Sequence, residues 1–306
     1  MSHPIRQHGA AAPHEARSPK AGPDEPTAVN PLTDANEAEV RAFLSGGGSV
    51  DTVVMCGLIA DNGLESPFNR GTFYGARDGA GQLVGVALVG HATLFETAHE
   101  SALAAFARLA QRYAQAHVVV GAPDKVERFW WHYGPGGQTP RLLCRELFLD
   151  LRWPVRALPP VPELRRATLA DLPAVLSVNA RLAFAESGVN PLERDPEGFR
   201  LRLARRIEQG RVWVWCEHER LMFKADVLAE TPMLNYLEGV YVHPDERGKG
   251  YGSRCLSQLG RELLQGTEAL CLLVNEQNKD AQRFFFRNGF KLRDCYDTIF
   301  LRPRED

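Results

Sequence analysis

Apolar positions along the chain follow two periods, and the switches between them mark out the elements. Val53, Val54, Gly57 and Leu58 share one side of a predicted helix over 50–64, preceded by another that starts near Asp34 and runs through Val40 and Phe43. Two predicted strands, 72–76 and 83–89, flank the turn Asp78-Gly79-Ala80-Gly81. An alanine-rich helix over 100–115, a buried strand at 118–121, a short helix at 124–132 and a strand at 141–151 complete this series. Beyond a run of prolines a second series begins. A strand at 163–167 leads to a helix over 169–179, with Thr168 and Asp171 suited to its N-cap and first turn. A loop at 185–192, a helix at 196–209, a hairpin from 212–216 and 221–228, and a strand at 234–242 come next. The chain closes with a helix bearing Cys255, Leu256, Leu259 and Leu263, an unbroken apolar strand at 269–275, a helix ended by Gly289, and strands at 291–295 and 298–301.

The segment Pro154 to Pro162 carries four prolines and reads as an extended linker. The expected organisation is a disordered tail over 1–32, a folded half over 33–153, a linker over 154–162 and a second half over 163–306. The tail is rich in Pro, Ala, His and charge and has no apolar core expected of a secretory signal. At 306 residues the chain has room for about two domains. A formal net charge of −2 argues against nucleic-acid binding through bulk electrostatics, and no apolar run reaches membrane-spanning length. The six cysteines are scattered, with no C-x-x-C pair and no Cys/His cluster at zinc spacing, so no metal is expected and a reducing cytoplasm fits.

Candidate chemistry concentrates where the strand ending Val240-Tyr241-Val242 breaks at His243-Pro244. There follows Arg247-Gly248-Lys249-Gly250-Tyr251-Gly252-Ser253, and then a helix. Glycines permit positive φ and close approach to a ligand, and amides at a helix start form an anion-holding concavity. Arg247 and Lys249 add positive charge. The spacing Arg247-x-x-Gly250-x-Gly252 is neither a P-loop nor a dinucleotide fingerprint. Downstream, Asn275, Asn278, Ala281, Phe284, Phe285 and Gly289-Phe290 stand in N-x-x-N-x-x-A-x-x-F-F-x-x-x-G-F order.

Loop and Asn-helix-Gly-Phe segment together resemble the acyl-CoA site of the GNAT superfamily of N-acyltransferases. The resemblance covers about 163–306. The first half follows the same order of elements but has no R-x-x-G-x-G, so it resembles a GNAT-like domain that lacks the phosphate loop and shapes the substrate cleft of the second. The whole resembles a bacterial two-domain GNAT type. The expected fold is α/β: two tandem GNAT-like domains, each a mixed twisted sheet flanked by helices.

The resemblance implies direct attack of a primary amine on acetyl-CoA. By the same resemblance the backbone of Val240, Tyr241 and Val242 holds the pantetheine arm, and the amides of Gly248, Lys249, Gly250, Tyr251, Gly252 and Ser253 hold the pyrophosphate, with Arg247 topping the loop. Asn275 contacts the arm or shapes its channel, and Asn278 does similar work or caps the last helix. Glu238 is the expected general base, with Glu230 and Asp226 as fallbacks and Tyr236 on the same side of the strand; a solvated or salt-bridged role for Glu238 stands beside it. Phe285 occupies the place where many GNAT enzymes carry a tyrosine acid. Water, another tyrosine (Tyr241, Tyr251 or Tyr296), or a non-catalytic acyl-CoA-sensing role would each account for that. The acceptor is a small-molecule amine or a protein amine. His243 reads as structural, and Arg200, Arg202, Arg205 and Arg206 as a solvated helix face that could also attract an acidic substrate.

Overall fold

A computed structural model describes residues 28–217, 220–302 and 304. Most of the expected tail lies outside the described residues. Its last part does not, because Ala28–Pro31 forms a strand, β1, and the folded region starts before the expected boundary at 33. The first half continues with α1 (Glu37–Ser45), α2 (Val50–Asn62), β2 (Gly71–Arg77), β3 (Leu83–Gly90), β4 (Ala92–Thr97), α3 (Glu100–Gln111), β5 (Val118–Gly121), α4 (Pro123–Tyr133) and β6 (Pro140–Leu151). The second half holds β7 (Arg165–Arg166), α5 (Leu172–Ser187), α6 (Pro191–Arg194), α7 (Pro196–Glu208), β8 (Val212–Glu217), β9 (Arg220–Glu230), β10 (Leu234–Val242), α8 (Tyr251–Leu263), β11 (Ala269–Asn275), α9 (Lys279–Arg287) and β12 (Lys291–Leu301).

All twelve strands join one sheet, in the order β1-β2-β3-β4-β5-β12-β6-β11-β10-β9-β8-β7. The halves of the sequence are therefore interlocked. The first half's last strand, β6, runs antiparallel to β11 of the second, from Leu151 opposite Leu270 to Glu146 opposite Asn275. The second half's last strand, β12, crosses to pair with β5 of the first. It is one continuous strand rather than the two short ones expected.

The proline-rich segment is also tied down. Val155 and Val161 are buried, Val161 N–H donates to the Gln258 side chain at 2.8 Å, and the Ser257 hydroxyl donates to the Arg156 carbonyl at 2.6 Å. The prolines make this stretch extended, as expected, but it straps α8 instead of separating two bodies.

Helix α8 buries Cys255, Leu256, Leu259 and Leu263 against the second half's strands, each such aliphatic side chain contributing about 2 kcal/mol. Helix α2 joins the halves. Val50 and Val53 pack with Phe148, Ala229, Leu234 and Tyr296. A Cβ at Gly57 would come 2.6 Å from that of Ala229, so only glycine lets α2 approach β9 so closely.

Asp51, in the first turn of α2, is 1% exposed, and its Oδ1 has no partner among the described residues. Burial pushes its pKa up to about 8; Lys125 opposes the shift and Glu96 adds to it. An unfolded Asp titrates near 4, so folding takes up a proton between about pH 4 and pH 8. The stability this carboxyl supports is complete below that window and is lost as pH rises through it. Asp51→Asn is expected to flatten the fall in Tm between about pH 5 and pH 8. An unchanged slope in thermal melts across that range would show that Asp51 folds ionised.

Candidate functional site

Strands β10 and β11 run parallel but pair only from Leu234, Asn235 and Tyr236 to Ala269, Leu270 and Cys271. Beyond Tyr236 they part. On its other side β11 stays paired with β6 to its end, so β10 is the strand that turns away. Its pairing with β9 slips between Glu238 and Tyr241, and Gly239 in that bulge has φ of 58°. Lys224 fixes the bulge from beneath. Its side chain is fully buried, and Nζ donates to the Gly239 carbonyl at 2.9 Å and lies 2.9 Å from Asp226 Oδ1. A Cβ at Gly239 would sit 2.7 Å from that nitrogen.

At the end of β10 the chain makes a 3-10 turn over Pro244–Glu246. His243 caps this turn by accepting from the Asp245 amide at 3.2 Å, the structural role expected of it. Gly248 and Gly250 then hold φ of 75° and 84°. A Cβ at either would meet nothing within 4 Å, so the left-handed backbone, not space, calls for glycine there. At Gly252 the reverse holds, since a Cβ would come 2.8 Å from Val242 and 3.2 Å from the Phe284 ring. Helix α8 is thereby set hard against the end of β10. Among the described residues no protein acceptor takes the amides of Gly248, Lys249, Gly250, Tyr251, Gly252 or Ser253. They lie at the N-terminal, positive end of α8, and a pyrophosphate fits this donor set.

The flanking cations behave differently from expectation. Arg247 Nε donates to the Val242 carbonyl at 3.2 Å, securing the strand end, and Lys249 pairs with Glu246 at 3.0 Å. Asn275 and Asn278 build the opposite lip. Asn275 Oδ1 accepts from the Gln277 amide at 2.8 Å, and Asn278 is the plain N-cap of α9, accepting from Ala281 at 3.1 Å. Val240 and Val242 pack toward α8 and the interior behind it, while Tyr241 is buried under α5 and α7. Phe285 requires a correction as a cofactor-binding residue. It is buried in the core, edge-on to Phe284 and Phe290, because the inward face of α9 falls on it. Phe284 is the ring beside the loop, through its approach to Gly252.

The first half has a matching splay that is closed. Strands β4 and β5 pair only at Ala92–Val118 and Thr93–Val119. Beyond them Phe95 stacks on Phe129 at 4.7 Å, and Lys125 spans to Glu96 at 2.8 Å. Helix α3 opens with Glu100, bound to Arg128 and His132, which disfavours an anion there.

Glu238 stands on the bulge, 46% exposed, and faces an open cavity of about 490 Å³ between the halves. Arg206 Nη1 lies 3.5 Å from both Glu238 and Asp226. Two further carboxyls come near. Glu146 on β6 is buried and accepts from the Thr298 hydroxyl, and burial together with Glu238 raises its pKa. Glu186, in the last turn of α5, lines the cavity; the protein crowded around it, then Glu238 and Glu146, raise its pKa. Tyr236 shares this surrounding, and its phenol is held well above its ordinary range by burial and then by these carboxyls. Of the other tyrosines considered, Tyr296 donates no help here, since it lies in the interface core and its hydroxyl takes the Val50 amide at 2.9 Å.

Residues 208–292 match the family model of the acetyltransferase (GNAT) domain. The match runs from the end of α7 to the start of β12 and includes the glycine loop. No curated protein matches it. Among solved structures, a Drosophila protein is 14% identical and aligns over 90% of this chain and 99% of its own, with a TM-score of 0.67. A tandem GNAT protein from the clavulanic acid biosynthesis pathway is 13% identical over 91% of this chain and 99% of its own, at 0.56. A GNAT-family acetyltransferase from Colwellia psychrerythraea is 12% identical over 90% and 100%, at 0.55. At these identities the likeness concerns the fold, and it extends over both halves.

Sequence reading missed Lys224, Glu146 and Glu186. Lys224 sits within an apolar strand, the usual sign of a buried charge with a fixed partner. Glu186 lies in a stretch read as loop, whereas α5 runs on to Ser187 and ends at Gly188, φ 68°. No helix among the described residues is long and apolar enough to cross a membrane.

Lys224→Met leaves Asp226 buried with only the Asn179 amide at 3.0 Å and Arg206 at 3.5 Å, and is expected to cost about 3 kcal/mol in denaturant unfolding. Lys224→Met with Asp226→Leu should recover most of that loss, because no charge is then stranded. A single variant as stable as the wild type would show that the pair does not hold the bulge.

Proposed function

We propose that the chain transfers the acetyl group of acetyl-CoA to a primary amine held in the cavity between its halves. One observation carries this reading: Glu238 and Gly239 belong both to the strand edge where β10 leaves β11 and to the wall of the cavity. Donor and acceptor paths therefore meet at two adjacent residues.

The thioester supplies an electrophilic carbonyl and a leaving thiolate. The protein's own groups do the rest. The unpartnered amides from Gly248 to Ser253 bind the diphosphate, and the edges of β10 and β11 align the arm as an added strand. Glu238, its carboxylate oriented by Arg206, takes the ammonium proton directly or through water, since only the neutral amine attacks. Gly239 and Val240 fall outside the β9 register, which leaves main-chain amides at the bulge to face a developing oxyanion. A thiol titrates near 8.5, so the departing sulfur needs no strong acid, and water suffices with Phe285 in the core.

A cavity of about 490 Å³ suits a small-molecule amine better than a folded protein surface. A cytoplasmic setting, where acetyl-CoA and reduced thiols coexist, accords with six free cysteines.

Calorimetry is expected to show acetyl-CoA binding to the wild type and to lose it in Gly252→Val, whose side chain would push α8 off Val242. Glu238→Gln should bind acetyl-CoA normally while kcat on an accepted amine falls about 100-fold or more. Binding without transfer to any amine in a broad panel would point instead to an acyl-CoA sensor.

A further inference from the structure

Six arginines line the cavity, and three of them pair with carboxylates. Arg211 pairs with Asp61 and Glu230, Arg206 with Asp226 and Glu238, and Arg202 with Asp195. Arg205 lies over the Phe68 ring at 4.1 Å and donates to the Asp61 carbonyl at 3.0 Å. Arg205 thus has no carboxylate partner among the described residues, and two further cavity cations share that condition. Arg70, between the halves at the start of β2, and Arg194, at the end of α6, have no carboxylate partner among the described residues. A half-buried cation without a counter-charge is costly unless it serves a ligand.

Both are held in place by built features. Arg70 is the one non-glycine among the described residues with positive φ, 54°, and its carbonyl accepts the His91 amide at 2.8 Å. Glycines crowd it on both sides: a Cβ at Gly90 would lie 2.2 Å from the Arg70 oxygen, and one at Gly71 would lie 2.7 Å from that of Val89. Such strain at a cavity wall is characteristic of functional positions. Arg194 Nη1 donates to His117 Nδ1 at 2.9 Å, so His117 is a neutral acceptor there. His117 stacks on His91 at 4.8 Å, and burial among arginines holds both imidazoles uncharged. Burial, then Arg202 and Arg194, presses the Arg70 guanidinium down to about 10, with Asp195 opposing.

The opposite wall carries paired charges. Helix α7 runs along the cavity from Asp195, its N-cap beside Arg202, to Arg206 at Glu238. Arg202, whose charge acts on Arg70, lies four residues before Arg206, about 6 Å of helix. We infer that the acceptor is a bifunctional amine: its ammonium meets Glu238, and a terminal oxyanion, carboxylate or phosphate, is held by Arg70 and Arg194 on the far wall. This rests on the acetyl-transfer reading for the amine end. It also gives the first half a binding role, because Arg70, His91 and His117 come from it.

The test uses three amines of matched length on the full chain: 6-aminohexanoate, 6-aminohexyl phosphate and hexylamine. Wild type is expected to show a KM for one or both anionic amines about 10- to 100-fold below that for hexylamine, as expected for a charge-assisted contact. Arg70→Gly relaxes the left-handed backbone and so should fold at least as well; with Arg194→Gln it should erase the preference, bringing the KM for the anionic amines to that for hexylamine. Arg200→Gln, on the exposed side of α7, should retain it. Thermal shift with each amine in the absence of acetyl-CoA reads the anion site separately from chemistry, and calorimetry with acetyl-CoA reads the donor site. Transfer without anion preference, or a preference that survives the double variant, overturns this inference while leaving the transferase reading intact. Failure to bind acetyl-CoA overturns the transferase reading while the thermal-shift arm still decides the oxyanion site.

Discussion

The site depends on one buried ion pair. Lys224 and Asp226 lie side by side on β9, and the lysine spends its remaining hydrogen bond on the carbonyl of Gly239. Buried ion pairs of this kind are usually no more stable than apolar side chains of the same shape. What the pair secures is geometry: a positive-φ residue in mid-strand, at which β10 slips its register and leaves β11 after three paired positions. The gap between the strands, the orientation of Glu238 and the aim of the glycine loop all follow from that departure. Desolvation lowers the Lys224 pKa, and Asp226 and then Glu238 oppose this, so the electrostatics of the clamp and of the proposed base are coupled.

The second determinant is the exchange of terminal strands. With β6 seated between β12 and β11, and β12 reaching β5, neither half completes its sheet from its own sequence. The exchange fixes α2 across the join, with Gly57 on Ala229, and places Arg70 and His91 opposite α6 and α7. The closed splay of the first half, filled by Phe95, Phe129 and the Glu96–Lys125 pair, leaves one donor site for the pair of halves. A motif-poor half retained in this arrangement is explained by the wall it contributes.

Local signals in the sequence carried the glycine loop, the strand before it, the buried strand β11 and the Gly289 cap. Each is encoded within a few residues, by φ requirements or by apolar runs. The strand exchange was not legible, because β6 and β12 have the same alternation whether they pair within a half or across halves. Nor was the inward turn of the α7 arginines. A charged face reads as solvated until a second wall is known to cover it, and here that wall comes from residues more than a hundred positions away in the chain. Asn278 shows the converse, a residue whose simplest local reading as an N-cap is what the structure holds.

Phe285 illustrates how packing and catalysis can pull on one position. Its ring is bounded by Phe284 and Phe290 in the cluster that joins α9 to the sheet. A tyrosine there would bring a hydroxyl into this apolar cluster, and a buried hydroxyl left unsatisfied costs about 1–3 kcal/mol. Phenylalanine is therefore the residue this core calls for. Its presence does not count against acyl transfer, because the leaving thiolate is weakly basic while the ammonium of the acceptor is not. The difficult proton is the one on the amine, and the carboxylates gather on that side of the site: Glu238 beside Arg206, with Glu186 and Glu146 biased toward their protonated forms by burial and by Glu238. Carboxyls whose surroundings push their proton affinities apart can divide acceptor and reservoir roles between them, and that division places the chemical work at the cavity wall rather than at α9.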